Sequence, residues 1–196
     1  MKFSLTPTNF AAIRDGLLPG VMWEFYLAYS EHVEKDPKRQ RPHFSAEESR
    51  AFDLSLPRGL RLVLSYTRFD GDILNGGIIQ YIGNHTWKGN PEEVFEDLEA
   101  LKTIGAVESV SILEEAISIF RRDFGWPSEQ GASCGTDILD HEGLRRLDDL
   151  RCNDESSRRD YDILNSYLGK HLDECILPVE VEMEEPFLVP YLKSSS

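Results

Sequence analysis

No apolar run in this chain is long enough to cross a membrane. The longest aliphatic stretches are a few residues, as at Leu62-Val63-Leu64, against the ~20 that a spanning helix needs. The first residues, Met1-Lys2-Phe3-Ser4-Leu5-Thr6-Pro7, hold one positive charge but no apolar central region and no small-residue cleavage site, so they do not read as a secretory signal. Cysteine is scarce. Cys134, Cys152 and Cys175 are odd in number and widely spaced, and with no Cys-x-x-Cys pair they read as reduced thiols rather than a disulfide frame or zinc knuckle. A phosphate-binding glycine loop, a dinucleotide fingerprint and a Gly-x-Ser-x-Gly turn are missing too. A cytoplasmic protein is expected that needs no membrane, no cofactor and no metal, and that is not an enzyme.

Positive charge is the other deficit. The chain carries 21 Lys and Arg against 35 Asp and Glu, a formal net charge of −14 over 196 residues. The imbalance is local. Residues 1–70 hold ten bases and nine acids, residues 90–115 one base and eight acids, and residues 136–185 six bases and fifteen acids. Such a polyanionic half repels nucleic acid and anionic lipid, and it attracts basic surfaces. Direct contact with nucleic acid is therefore not expected, whereas a basic protein partner is. The plain alternative is a well-solvated exterior that resists aggregation.

The apolar pattern is helical almost throughout. Pro19 to Asp36 reads as a helix stopped at Pro37, with Trp23, Tyr26 and Tyr29 on a buried face, and 36–43 as a basic surface loop. Ser45 and Glu48 have the spacing of a capping box. Residues 60–69 suit strand or helix, and helix is chosen because no companion strand stands out. A short helix follows from Asn75 to about Gly83, with Asn75 as its cap. Asn90-Pro91-Glu92-Glu93 then starts a helix with a core stripe of Val94, Phe95, Leu98, Leu101 and Ile104, ended by Gly105. The next, from Val107 to Phe124, buries Val110, Leu113, Ile117 and Phe120 and must fold back as an antiparallel hairpin. Two more helices are read at about 136–150 and 154–174. The expected fold is all-α, six to eight helices in one domain over 1–178, followed by a tail over 179–196.

Asn75-Gly76-Gly77-Ile78-Ile79-Gln80-Tyr81-Ile82-Gly83-Asn84 resembles the signature of the DNA-mimic protein family, small acidic helical domains mostly without an assigned function. Ala100-Leu101-Lys102-Thr103-Ile104-Gly105-Ala106, Ile112-Leu113-Glu114-Glu115-Ala116-Ile117 and Leu147-Asp148-Asp149-Leu150 with Tyr161 resemble its later segments. The similarity covers roughly 60–174, and Ile78 stands where the family favours an aromatic residue. The resemblance implies an acidic surface that imitates duplex phosphates and occupies the DNA-binding face of a transcription factor or another basic protein, and hence a role in transcription regulation. Acids at i and i+4, such as Glu92 with Glu96 or Glu93 with Asp97, stand ~5–6 Å apart on a helix, comparable to successive phosphates. The candidate partner-binding residues are Glu92, Glu93, Glu96, Asp97, Glu99, Glu114, Glu115, Asp148 and Asp149. Asn75, Gly76, Gly77, Gln80 and Asn84 form a candidate structural junction, with Gln80 and Asn84 as buried amides.

Three other readings stay open. One is an interaction or immunity-type domain whose charge is incidental, and another is a homodimer. The third is a hydrolase built on Asp70, Asp72 and His85. The run Asp70-Gly71-Asp72-Ile73-Leu74-Asn75-Gly76 fails the register of a calcium loop, because Leu74 takes its fifth position. His171 and Cys175 have metal-ligand spacing but lack an evident second pair.

Overall fold

The computed structural model describes residues 1–35, 44–87, 91–126, 138, 140–151 and 154–193. In chain order the principal elements are β1 (Lys2–Leu5), α1 (Pro7–Ala12), α2 (Leu18–Glu34), α3 (Ala46–Ser55), α4 (Arg58–Trp87), α5 (Glu92–Ile104), α6 (Val107–Phe124), α7 (Glu142–Arg151), α8 (Asp154–Lys170), β2 (Leu177–Glu182) and α9 (Glu185–Leu188). The fold is all-α with one two-stranded sheet among the described residues. The backbone divides into two units, residues 1–64 with 164–196, and residues 65–163.

In the first unit β1 pairs antiparallel with β2, Lys2 opposite Glu182 and Phe3 opposite Val181. The stretch read as a tail from residue 179 thus carries most of a strand, followed by α9 with Leu188 fully buried. The reason is a period of two. Val181 and Met183 turn inward while Glu180, Glu182 and Glu184 face solvent, the pattern of a half-buried strand. Helix α2 buries Val21, Met22 and Phe25, but Trp23, Tyr26 and Tyr29 are only half-buried, not the wholly buried face expected. Trp23 stacks on Tyr26 at 5.6 Å, and Tyr29 lies 5.3 Å from Phe52 of α3. Ser45 and Glu48 form the expected capping box. The loop expected at 36–43 lies outside the described residues.

The Cys175 thiol is buried against the first turn of α4, where a Cβ on Gly59 would come within 2.3 Å of the sulfur. Burial pushes this thiol up to about 12, and the neighbouring Glu174 and Asp173 carboxylates add to the shift. It donates to the His171 carbonyl at 3.5 Å, while the His171 ring stacks on Tyr167 at 4.3 Å. Among the described residues no group of three His, Cys, Asp or Glu could hold a metal ion.

The second unit is built on α4, α5 and α6. Residues 60–69 are helical as expected, and the two helices expected over 60–83 form one element interrupted at Gly76 and Gly77. Helix α5 carries Glu92 and Glu93 in its first turn, where they face the positive end of the helix dipole, and it ends on Gly105 at φ +87°. The expected cap, Asn90, lies outside the described residues. Helix α6 returns after Ala106 and ends on Gly125 at φ +67°. Val94, Leu98, Leu101 and Ile104 are buried in α5, and Ile112, Leu113, Ala116, Ile117 and Phe120 in α6. Each fully buried large apolar side chain contributes roughly 1.5–3 kcal/mol. Phe95 and Val110, both expected in the core, are only half-buried.

Candidate partner-binding face and its buried frame

The junction lies in the middle of α4. Gly76 is extended at φ −165°, while Gly77 takes φ +79° and ψ −178°, a region essentially closed to other residues. The helix restarts at Ile78, whose N–H donates to Oδ1 of Asp148 at 2.6 Å. The carboxylate of Asp148, from α7, therefore caps the restarted helix, and the capping role expected of Asn75 is corrected: Asn75 is helical and exposed. A Cβ on Gly77 would stand 2.7 Å from both Asp148 oxygens. Gln80, expected as a buried amide, is exposed and lies over Gly76, where a Cβ would meet its Oε1 at 1.7 Å. Asn84 does tie down a neighbour, donating to Oδ2 of Asp72 at 3.3 Å.

Two buried polar clusters frame this junction. In the first, Asp97 is fully buried and accepts from the Arg68 guanidinium, with Nε–Oδ2 at 3.0 Å, and from the Tyr81 hydroxyl at 2.8 Å. Burial raises the Asp97 carboxyl above its ordinary value, while Arg68 and Tyr81 pull the other way. For Arg68 burial opposes the charge, yet the hydrogen bonds and charge of Asp97, with Glu93, hold the guanidinium above its usual range. Nδ1 of the buried His85 lies 2.7 Å from Oε2 of Glu93, and its Nε2 lies 3.6 Å from Oδ2 of Asp72.

In the second cluster Arg151, fully buried, donates to Oδ1 of Asp70 at 2.7 Å and to Oγ of Ser109 at 3.1 Å, and its Nη2 is 3.3 Å from Oδ2 of Asp160. The Ser109 hydroxyl donates to Asp160, and the Ser157 hydroxyl donates to Asp70 at 2.8 Å. The Arg151 guanidinium lies over Phe69 at 5.0 Å, and Phe69 meets Tyr81 edge-on at 5.3 Å, which links the clusters through two rings. The hydrolase constellation is not assembled: Asp70 is bound to Arg151 and Ser157, whereas Asp72 and His85 belong to the other cluster.

These clusters set a pH response. Burial is the largest influence on Asp97, Asp148 and Asp160, and it lifts all three carboxyls. A carboxyl lifted by folding binds its proton more readily in the native state. Its stabilisation is complete below the unfolded value of ~3.9 and is lost as pH rises through the lifted value. Acidification also relieves self-repulsion of the −14 net charge. The thermal unfolding midpoint should therefore be higher at about pH 5 than at about pH 8. A midpoint that rises steadily from about pH 5 to about pH 8 would contradict the assignment.

The nine candidate binding residues divide accordingly. Glu92, Glu99, Glu114, Glu115 and Asp149 are exposed and Glu96 is half-buried. Glu93 turns to His85 and Arg68, Asp148 is the cap, and Asp97 is wholly internal, so Asp97 is corrected from surface to core. On the exposed set Lys102 bridges Glu99 and Glu114, both at 3.1 Å, and Arg146 pairs with Glu115. Exposed acids outside the candidate set add to the same unit: Glu108, Glu142, Glu155 and Asp162. Residues 65–163 contain 21 acids and ten bases, a net of −11 out of −14.

The family model of DMP19-like protein, the DNA-mimic family resembled by residues 75–84, matches residues 54–171. The chain belongs to the DMP19-like family. The match takes in the whole acidic unit and leaves β1, α1 and α2 outside. No curated protein and no solved structure matches the chain at a significant level. No described helix of this family member is long and apolar enough to cross a membrane.

Proposed function

We propose that the acidic unit binds a basic, DNA-binding protein, with exposed carboxylates of α5, α6 and α7 standing in for duplex phosphates. The observation that carries this reading is the net of −11 within residues 65–163, on the unit that the family match covers. Rigid helices keep the spacing of Glu92, Glu96 and Glu99 fixed, and the buried frame fixes α4 beneath them. Binding of this kind works through a screened field, so several carboxylates contribute and none dominates.

The test uses the immobilised protein, proteins captured from its source cells, and competing duplex DNA. Capture should weaken with salt and be reversed by the duplex. A variant with Glu92→Gln, Glu96→Gln and Asp149→Asn should lose roughly ten-fold in affinity, given up to ~1 kcal/mol for each exposed charge. A captured partner that is indifferent to salt, to DNA and to this variant would sink the proposal and favour an interface of mixed chemistry with incidental charge.

A further inference from the structure

The α5–α6 hairpin carries a cleft whose chemistry differs from the rest of its unit. Its volume is about 690 Å³, within the roughly 300–1,000 Å³ of small-molecule sites. Phe95, Leu98 and Ile117 supply apolar surface, and Ser118 stands exposed at its edge. Lys102, Arg121 and Arg122 bring three of the unit's ten bases to this one place. Lys102 is occupied by Glu99 and Glu114, and Arg122 by Asp123 at 2.6 Å. Arg121 is different. Its guanidinium lies over the Phe95 ring at 5.2 Å and has no carboxylate partner among the described residues. A guanidinium placed over an aromatic ring still has N–H groups to offer an anion.

We propose that this cleft binds an amphipathic organic anion, an apolar body with a single carboxylate or sulfonate. The apolar body would lie against Phe95, Leu98 and Ile117, and the anionic head would take the N–H groups of Arg121. Glu99 and Glu114 also line the cleft, paired with Lys102, and they repel the head, so the apolar contact must offset that repulsion. Salt screens that repulsion, so affinity should hold or rise with ionic strength, the opposite of what is expected for a basic protein on the acidic face. The two salt responses keep the proposals separately testable.

The probe is 8-anilinonaphthalene-1-sulfonate, followed by fluorescence and calorimetry on the full chain. Binding should saturate at one probe per chain. Arg121→Gln should weaken it about ten-fold, as expected for the loss of one charge-assisted hydrogen bond. Ser118→Trp, which fills the cleft from an exposed position, should abolish it, and Arg145→Gln, paired with Asp140 elsewhere on the unit, should leave it unchanged. Failure to saturate, survival in Ser118→Trp, or indifference to Arg121→Gln would overturn the proposal. If Ser118→Trp does not fold, methyl shifts of Leu98 and Ile117 in the unaltered protein decide, and their constancy on adding the probe would likewise overturn it.

Discussion

Replacing Asp97 with alanine should lower the unfolding free energy by about 3–5 kcal/mol. The carboxylate is fully buried and accepts from both Arg68 and Tyr81. Its removal leaves a largely enclosed guanidinium without its main counter-charge and strands a buried hydroxyl. The cost is the penalty of the orphaned partners, not the worth of the pair. A double variant, Arg68→Met with Asp97→Leu, should therefore recover most of the loss, because both charges then leave the interior together. Urea unfolding followed by circular dichroism measures both. If Asp97→Ala stays within about 0.5 kcal/mol of the parent, the range of an ordinary surface change, the frame does not hold the unit together as described.

That Asp97 belongs inside was legible in the sequence, though its charge argued otherwise. It follows Val94 by three positions and precedes Leu101 by four, on the stripe that α5 turns to the core. An acid on such a stripe is either a flaw or half of a buried pair, and the pair is what the structure contains. The partner could not be read, since Arg68 lies 29 residues away on another helix. The same limit applies to Arg151, whose position in α7 reads as one more surface base until Asp70, Ser109 and Asp160 close around it. Local signals fared better. The Ser45 capping box, the Gly105 stop and the hairpin of α5 and α6 are written in adjacent residues and appear where expected. Strand β2 carries a local signal too, but glutamates on its outer face give it the composition of a solvated tail.

This division bears on the proposed function. Of the acids in the 92–99 segment, Glu93 and Asp97 turn to Arg68 and His85, so the solvent-facing row is Glu92, Glu96 and Glu99, the last of them bridged to Lys102. A charge count taken along the sequence therefore overstates the face, and a charge variant that includes Asp97 would confound lost binding with lost stability.

Gly77→Ala should produce the second large loss, about 3 kcal/mol, with a fall in thermal midpoint of roughly 10 °C for a chain of this size. Two costs combine. A side chain at φ +79° and ψ −178° is strained by roughly 1–3 kcal/mol, and the new methyl would stand 2.7 Å from both Asp148 oxygens. It would push away the carboxylate that caps Ile78, at a further cost of about 1 kcal/mol. Gly76→Ala is the control on the same junction. Its backbone is extended, and the atoms over it belong to the exposed and movable side chain of Gln80, so its loss should be clearly smaller. Asp148→Ala alone should cost about 1 kcal/mol as the lost cap. Combined with Gly77→Ala it should cost less than the two singly, because the methyl no longer meets a carboxylate. Equal losses for Gly76→Ala and Gly77→Ala would show that the positive φ does not govern this break in α4, and strict additivity in the double variant would show that the Asp148 contact does not.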